Sequence, residues 1–329
     1  MALGNGKVAL VIGASRGMGR QIAIDLAKNG YSVVVAAKST SDAQSAAAPF
    51  PPDPNSPQST ISTVEREIVE TGGRATAIPV DVRDQASVQK LVDRTIETYG
   101  RLDVLVYNSG AIWWASVEDT PVKRFQLMQR VNPEGLYGAV FAALPHLKKS
   151  SSSSSSPSGG VGGGGRIVVV SPPIYSRFFR GKTAYAMGKV GMSVLTKGLA
   201  MDLERQGLKD MAITSLWPAV AIESAATRRL TLSNPSEARD LRKPAIFSAA
   251  VLAVLRAPVS SVNGLLELDE DFLRSDAGGR VTDFSGYSVV PGAQPRRIMP
   301  ATLPDLTVAE QDDEGKRMDS AKTEGRAKL

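Results

Sequence analysis

The sequence contains no cysteine and only one histidine, His146, among 329 residues. Without cysteine the chain can form neither a disulfide framework nor a thiol nucleophile. One histidine also cannot supply the nitrogen and sulfur ligands of a structural zinc site. We therefore expect a protein that binds no metal.

Long apolar runs and a strong excess of one charge are missing as well. No apolar run approaches the roughly 20 residues that span a bilayer, and the first residues lack the apolar core of a signal peptide. The formal net charge is +6, from 39 basic and 33 acidic residues, and only the stretch 315–329 is basic without an apolar pattern. The sequence thus predicts no membrane span, no secretion and no binding of nucleic acid.

Short apolar runs alternate with segments that carry apolar residues at helical spacing. The runs predict strands over 7–12, 31–37, 75–80, 102–107, 166–170, 212–216 and 265–268. The segments predict helices that include 17–29, 61–70 and 87–99. Strands that are apolar throughout and alternate with helices indicate a parallel sheet covered on both faces. The predicted fold is α/β, a single-domain, Rossmann-like doubly wound parallel sheet over 1–282.

Two insertions interrupt this pattern. One, over 41–58, contains five prolines, and the other, over 150–165, contains seven consecutive serines and a glycine-rich run. Such compositions bury too little apolar area to offset chain entropy, so they predict mobile surface loops. The glycine run precedes a strand and not a helix, which argues against a phosphate-binding role. Residues 283–329 are predicted to form a polar C-terminal extension.

A glycine-rich turn follows the first strand and opens the first helix. Glycines there let the backbone turn sharply and approach a pyrophosphate, whose charge is stabilised by free N–H groups at the helix start. Within this strand-turn-helix context the pattern predicts a dinucleotide site. The residues of the turn assigned to the cofactor are Gly13, Ser15, Arg16, Gly17, Met18 and Gly19.

The end of the second strand favours NADP over NAD. Sheets that bind NAD usually place an acidic residue there, whereas this chain has Lys38, which together with Arg16 could pair with a 2′-phosphate. The alternative is that Lys38 is a solvated strand end. Asp81 and Val82 follow the third strand, and the segment from Asn108 to Gly110 follows the fourth; these residues contact the adenine or serve as ordinary turn residues.

The strongest catalytic signal is a tyrosine and a lysine four residues apart, Tyr185 and Lys189. At this spacing both side chains share a helix face. An ammonium beside a phenol favours the ionised phenol and lowers its pKa from near 10. The pair therefore predicts an acid and base.

The glycine turn, the residues after the third and fourth strands, and the pair of Tyr185 and Lys189 follow one another along the chain in the order typical of the short-chain dehydrogenase/reductase family. The chain resembles this family over roughly residues 5–280. The resemblance implies that Tyr185 donates a proton to a substrate carbonyl as hydride arrives from the nicotinamide of NADPH. It also implies that Lys189 holds the nicotinamide ribose, that Asn132 orients a water, and that Arg130 and Ile222 lie against the cofactor. It further implies a carbonyl or alcohol substrate and a homo-oligomer.

One position departs from the family's pattern. The serine that helps to hold the substrate oxygen aligns with Pro172, and losing such a donor typically costs on the order of 10²- to 10³-fold in rate. Ser171 is adjacent, but neighbouring strand residues point to opposite faces, which leaves Tyr175 and Ser176 as substitutes. The alternatives to a reductase are a nucleotide-binding protein with little turnover and an enzyme that uses nicotinamide transiently for isomerisation or dehydration.

Several segments also resemble the hydroxysteroid dehydrogenase-like protein 2 branch of the family: 36–38, 119–124, 171–173 and 216–218. This resemblance implies lipid-like, acyl or secondary-metabolite carbonyls as substrates and a peroxisomal or mitochondrial location. A sterol-carrier domain, which some members carry, is not visible here. Trp113 and Trp114 follow the fourth strand and either wall an apolar substrate or cap the sheet edge.

The last three residues, Ala327, Lys328 and Leu329, resemble the Ser-Lys-Leu peroxisomal address. We expect the peroxisomal import receptor to bind them and the protein to lie in the peroxisome, with the cytoplasm as the alternative.

Removing Leu329 should release the protein into the cytosol, because the receptor reads the terminal side chain and carboxylate. Fluorescence imaging of an N-terminally tagged chain measures this, with Glu324→Gln, which keeps the tripeptide, as the control. Peroxisomal fluorescence that survives the removal contradicts the interpretation of the tail.

Overall fold

The computed structural model describes residues 3–42, 50–152 and 164–307. The tripeptide at 327–329 and the central parts of both predicted insertions lie outside the described residues.

Seven strands form one parallel sheet in the order β3-β2-β1-β4-β5-β6-β7. The strands are β1 Val8–Ile12, β2 Ser32–Ala37, β3 Arg74–Pro79, β4 Val104–Tyr107, β5 Arg166–Val170, β6 Ala212–Trp217 and β7 Leu266–Leu268. The strand order reverses between β1 and β4, which in doubly wound sheets is where ligands bind. This topology confirms the predicted Rossmann-like fold.

The helices that flank the sheet are α1 Gly17–Lys28, α2 Ile61–Glu70, α3 Gln85–Tyr99, α4 Val122–Gln129, α5 Gly135–Ser152, α6 Thr183–Arg205, α7 Ala225–Ser233, α8 Ala245–Arg256, α9 Val259–Val262 and α10 Asp269–Arg274. A π-helical turn, Arg130–Glu134, joins α4 to α5. Across the described ranges, none of these helices is long and apolar enough to cross a membrane.

The core lies on both faces of the sheet because successive strand residues point to opposite sides. In β1, Val11 packs against α1, α2 and α8, whereas Leu10 and Ile12 pack against α3, α5 and α6. All three side chains are fully buried. Strands buried on both faces explain the continuous apolar runs of the sequence.

The later part of the first insertion, residues 50–58, combines exposed and buried positions. These residues pack against the body of the protein, where the side chains of Asn55 and Ser56 are buried. Prolines reduce the entropy that a chain loses on folding, so a proline-rich segment can pack with few contacts.

The borders of the second insertion are also packed. Ser150 is buried in the last turns of α5, and its hydroxyl donates to the Leu102 carbonyl at 2.7 Å. A Cβ on Gly164 would overlap the Asp210 carbonyl, so glycine is needed there for close approach. The prediction of a surface loop over 150–165 is therefore wrong at both ends.

The predicted polar extension is folded onto the domain as far as residue 307. Met299 packs against Ala219 and Leu268, and the Ile298 amide donates to the Ala219 carbonyl at 2.9 Å. Arg297 forms an ion pair with Asp271. Residues 283–307 are thus held against the domain by few apolar contacts, and the boundary at 282 stays a prediction.

A buried carboxyl group, Asp269, fixes the loop after β6. It accepts hydrogen bonds from the amides of Ala219 and Glu270, each at 2.8 Å. Burial raises the pKa of Asp269 from 3.8 to about 7, assisted by the neighbouring charges of Glu270 and Asp271.

Asp269→Asn should gain thermal stability relative to the wild type as pH rises from about 4 to about 7. The wild-type native state holds a proton that the unfolded chain releases, so its free energy of unfolding falls across this window, whereas the amide keeps the acceptor oxygen and does not titrate. Melting temperatures at several pH values measure this, with the exposed Asp276→Asn as control. A difference that is constant with pH contradicts the assignment.

Candidate functional site

The glycine turn lies at the carboxyl end of β1, beside the point where the strand order reverses. Gly13 and Gly17 have φ values of 89° and 55°, in the left-handed region that favours glycine. A Cβ on Gly19 would overlap the Gly13 carbonyl oxygen. The Asn108 amide nitrogen donates to that oxygen at 2.9 Å, while its buried Oδ1 has no partner among the described residues. The turn therefore fits a dinucleotide: it gives backbone access and leaves a polar atom for a ligand.

A cleft of about 210 Å³ opens beside this turn at the same sheet edge. It is lined by Ala37, Lys38, Val80, Asp81, Val82, Arg83, Ser109, Gly110, Leu127 and Val131. The structure thus brings together the predicted residues that follow β2, β3 and β4. The cleft is at the position where the sequence places the adenine.

Asp81 is the carboxyl group that lines this cleft, and its pKa is strongly shifted. Hydrogen bonds from Arg83, with Nη2 2.5 Å from Oδ2, hold the pKa of Asp81 well below its usual range. Lys38 adds an ion pair at 3.2 Å. Sequence reasoning missed Arg83, although a basic residue two positions after Asp81 is a signal for such a turn.

Two basic side chains, those of Lys38 and Arg16, lie along the carboxyl edge of the sheet beside this cleft. The side chain of Lys38 is 62% exposed, and the Arg16 guanidinium donates to the Ser39 hydroxyl at 3.3 Å. Both therefore lie at the carboxyl end of β2, Arg16 bound to Ser39 and Lys38 paired with Asp81.

Three other predicted cofactor residues lie outside this cleft. Arg130 is exposed and donates to the Arg83 carbonyl at 3.1 Å, where it lines an adjoining surface cleft. Ile222 is buried, and its backbone pairs with Arg242. Met18 is half-buried and packs against the core below the glycine turn.

Residues 50–58 cross the glycine turn, a contact that the sequence does not predict. The Gly17 amide donates to the Pro54 carbonyl at 3.1 Å, and Asp53 pairs with Arg228 of α7 at 3.1 Å. Asn55 Oδ1 is buried without a partner among the described residues. This segment therefore connects the start of α1 to α7 and places an unsatisfied amide beside the turn.

Helix α6 carries the predicted catalytic pair. Tyr185 and Lys189 are both buried, with 2% and 3% of their surfaces exposed. The Lys189 ammonium donates to the Val170 carbonyl at 2.7 Å and lies 5.5 Å from the centre of the Trp217 ring. A Cβ on Gly110 would lie 3.4 Å from Lys189 Nζ and 3.5 Å from Asn132 Oδ1, so glycine leaves room where these groups converge.

Burial, and not the neighbouring charge, dominates the titration of this pair. It raises the pKa of Tyr185 above its ordinary value and lowers that of Lys189 to about 7. The expectation of a lowered tyrosine pKa is therefore wrong for the protein without ligand, because both groups lose water. The phenol is protonated at neutral pH, which is the form that donates.

Asn132 lies within the π-helical turn, and its side chain is bound at both ends. Its Oδ1 accepts from the Ala111 amide at 2.8 Å, and its Nδ2 donates to the Ala111 carbonyl at 3.1 Å. The amide group thus fixes the segment after β4 beside Lys189. Bulges of this type in helices often mark functional sites.

The hydroxyl groups near Pro172 face the interior. Ser171 Oγ lies 2.7 Å from Ser215 Oγ, and Ser193 donates to the Pro172 carbonyl at 2.6 Å. Thr196 extends this buried network. Ser171 therefore cannot supply the hydroxyl that Pro172 lacks.

Aromatic side chains surround Tyr185. The rings of Trp114 and Phe178 lie 6.1 and 6.2 Å from its ring, centre to centre. Trp114 is 61% exposed, so part of this ring, next to Tyr185, is open to solvent. Tyr175 donates to the Met299 sulfur at 3.2 Å, and Ser176 is exposed.

Within residues 3–42, 50–152 and 164–307, no cluster of three or more histidine, aspartate or glutamate side chains could hold a metal ion.

A family model described as short chain dehydrogenase matches residues 7–56 and 54–228. Hydroxysteroid dehydrogenase-like protein 2 of Homo sapiens is 33% identical over 289 residues, which cover 87% of this chain and 61% of that protein. The Danio rerio protein of the same name is 34% identical, over 89% of this chain and 64% of its own length. The chain therefore spans less than two thirds of these relatives.

Solved structures match over nearly their whole length. A dehydrogenase from Xanthomonas campestris is 33% identical, with a TM-score of 0.73, over 94% of this chain and 100% of that one. A short chain dehydrogenase from Mycobacterium thermoresistibile is 34% identical, with a TM-score of 0.71, over 89% and 94% of the two chains.

Proposed function

The chain belongs to the short-chain dehydrogenase family, and from that premise we propose that it is an NADP-dependent oxidoreductase that interconverts a carbonyl and an alcohol. The substrates are lipid-like, acyl or secondary-metabolite carbonyls. The observation that carries this proposal is the protonated Tyr185 phenol, buried one helical turn from Lys189 and flanked by the rings of Trp114 and Phe178.

In the reductive direction, the Tyr185 phenol gives its proton to the carbonyl oxygen. A bound nicotinamide supplies the hydride that reaches the carbonyl carbon. The phenol's raised pKa keeps the proton in place until negative charge develops on the oxygen, so the transfer is coupled to reduction.

Lys189 stabilises the phenolate that results. Its ammonium is held by the Val170 carbonyl and lies beside Asn132, so its position does not depend on the substrate. A fixed charge in a site without water stabilises a developing anion more than a solvated charge does. With a pKa of about 7, Lys189 also exchanges protons readily near neutrality.

The preference for NADP rests on the charge at the carboxyl end of β2. Arg16 and Lys38 both lie there, and the exposed Lys38 ammonium, which pairs with Asp81 at 3.2 Å, would bind the phosphate as a point charge beside that pair. The glycine turn, the unpartnered Asn108 Oδ1 and the 210 Å³ cleft would hold the pyrophosphate and the adenine.

Lys38→Ala should raise the KM for NADPH about tenfold and leave that for NADH nearly unchanged. A charge-assisted hydrogen bond to phosphate contributes about 1.5 kcal/mol or more, and only NADPH carries the 2′-phosphate. Steady-state kinetics with both cofactors measure this, and Lys28→Ala, at the exposed end of α1, is the matched control. Equal effects on both cofactors contradict the assignment.

Tyr185→Phe should lower kcat at least 10²-fold and leave the dissociation constant of NADPH nearly unchanged. The substitution removes the proton donor and keeps the ring that packs against Trp114 and Phe178. Loss of NADPH absorbance with a panel of ketones, aldehydes and acyl thioesters measures turnover, and fluorescence titration measures binding.

Turnover that survives in this variant contradicts the role of the phenol. Wild-type protein that binds NADPH but consumes none across the panel supports the alternative of a nucleotide-binding protein with little turnover. Conversion of substrate without net consumption supports isomerisation or dehydration.

A further inference from the structure

A second lysine, Lys182, lies at the N-cap of α6, immediately before the helix that carries Tyr185. The Lys182 ammonium lies 4.3 Å from the centre of the Phe178 ring and 5.6 Å from that of Trp114. These are the same two rings that flank the phenol. Lys182 is therefore part of the wall of the substrate cleft.

The ammonium of Lys182 has no carboxylate partner and no hydrogen-bond acceptor among the described residues, and only aromatic faces contact it. The nearest acidic segment of the cleft holds Glu118 and Asp119. The Asp119 carboxylate accepts from Ser116 at 2.6 Å and forms no ion pair with Lys182. The donors of Lys182 are thus available to a ligand.

The half-buried position of Lys182 argues that the charge is there for binding. Burial lowers the pKa of Lys182, so removal from water is unfavourable for the charged form. The contacts with Phe178 and Trp114 offset part of this cost but use no N–H donor. An apolar side chain would pack against the two rings without the cost. A ligand with a negative charge would offset this cost by pairing with the ammonium.

The basic character of the cleft continues beyond this residue. The Arg124 guanidinium lies 4.8 Å from the centre of the Trp113 ring, and Arg177 reaches the Ile298 carbonyl at 3.5 Å. Both are exposed at the rim. Positive charge at the rim of a cleft attracts an anionic ligand before it binds.

We propose that Lys182 determines substrate specificity by binding an anionic group, a carboxylate or a phosphate, of the carbonyl compound that Tyr185 protonates. This inference rests on the proposed reductase function. The Lys182 ammonium and the Tyr185 ring lie beside the same two aromatic rings, so the anionic group would be held close to the reacting carbonyl. The remainder of the substrate lies along Trp114 and Phe178.

The test compares matched substrates in matched variants. A keto acid, its uncharged methyl ester and a phosphorylated carbonyl compound of similar length are reduced by the wild type, Lys182→Met and Lys182→Arg. Lys197→Met is the control, because Lys197 is an exposed lysine of the same helix away from the cleft. Circular dichroism melts identify a variant that fails to fold.

Lys182→Met should raise the KM for the anionic substrates about 10- to 100-fold, the effect of losing a charge-assisted hydrogen bond. The KM and kcat for the ester should stay nearly unchanged, because Tyr185 remains. Lys182→Arg should restore most of the preference for the anion, and Lys197→Met should change nothing. A larger rise in KM for the keto acid identifies a carboxylate as the natural anion, and a larger rise for the phosphorylated compound identifies a phosphate.

A binding measurement separates this inference from the reductase function. All three tryptophans of the chain, Trp113, Trp114 and Trp217, lie around the cleft, so their fluorescence reports occupancy. The hydroxy acid that corresponds to the keto acid is titrated into Tyr185→Phe with and without Lys182→Met.

Binding that depends on Lys182 without turnover of any substrate overturns the reductase function and supports the anion site. Turnover of acid and ester at equal KM values, unchanged in Lys182→Met, overturns the anion site and leaves the reductase function intact.

Discussion

The burial of the Lys189 ammonium is the constraint on which the rest of the site depends. A lysine charge removed from water is costly unless its donors are bound, and in the described structure its hydrogen bond goes to the Val170 carbonyl at 2.7 Å. That carbonyl ends β5, so the strand must hold it in place. The hydroxyl network of Ser171, Ser193 and Ser215 does this from below. The Ser171 hydroxyl is therefore part of the network that positions the Lys189 ammonium.

Two segments without periodicity complete the carboxyl edge of the sheet. Residues 50–58 join the glycine turn to α7, and residues 283–307 hold the loop after β6 through Ala219. Residues 50–58 lie beside the strand reversal, where ligands bind in sheets of this type. Because α7 and the β6 loop are fixed from outside the sheet, the shape of this edge depends on residues far away in the sequence.

The sequence predicted the fold well because its signals are local and repeated. The strand over 166–170 and the helix over 61–70 lie within the same bounds in the structure. The resemblance to the family implied roles for Lys189 and Asn132, whereas their approach to Gly110 is seen only in the structure. The packing of Asn55 and Met299 could not be predicted, since each depends on distant partners that leave no periodic pattern. The pKa of Tyr185 was predicted in the wrong direction, because spacing reveals a neighbouring charge and not the loss of water.

Helix α6 places a lysine on either side of the phenol, and their different burial divides their roles. Lys189 is enclosed, with a pKa of about 7, so its charge is sensitive to the surroundings near neutrality. Lys182 is half-buried at the aromatic wall and can exchange water for a ligand. An anion bound at Lys182 would neutralise that positive charge beside the aromatic rings, whereas Lys189 keeps its own hydrogen bond to the Val170 carbonyl. The two lysines would therefore serve different steps, Lys182 the binding of the substrate and Lys189 the stabilisation of the phenolate.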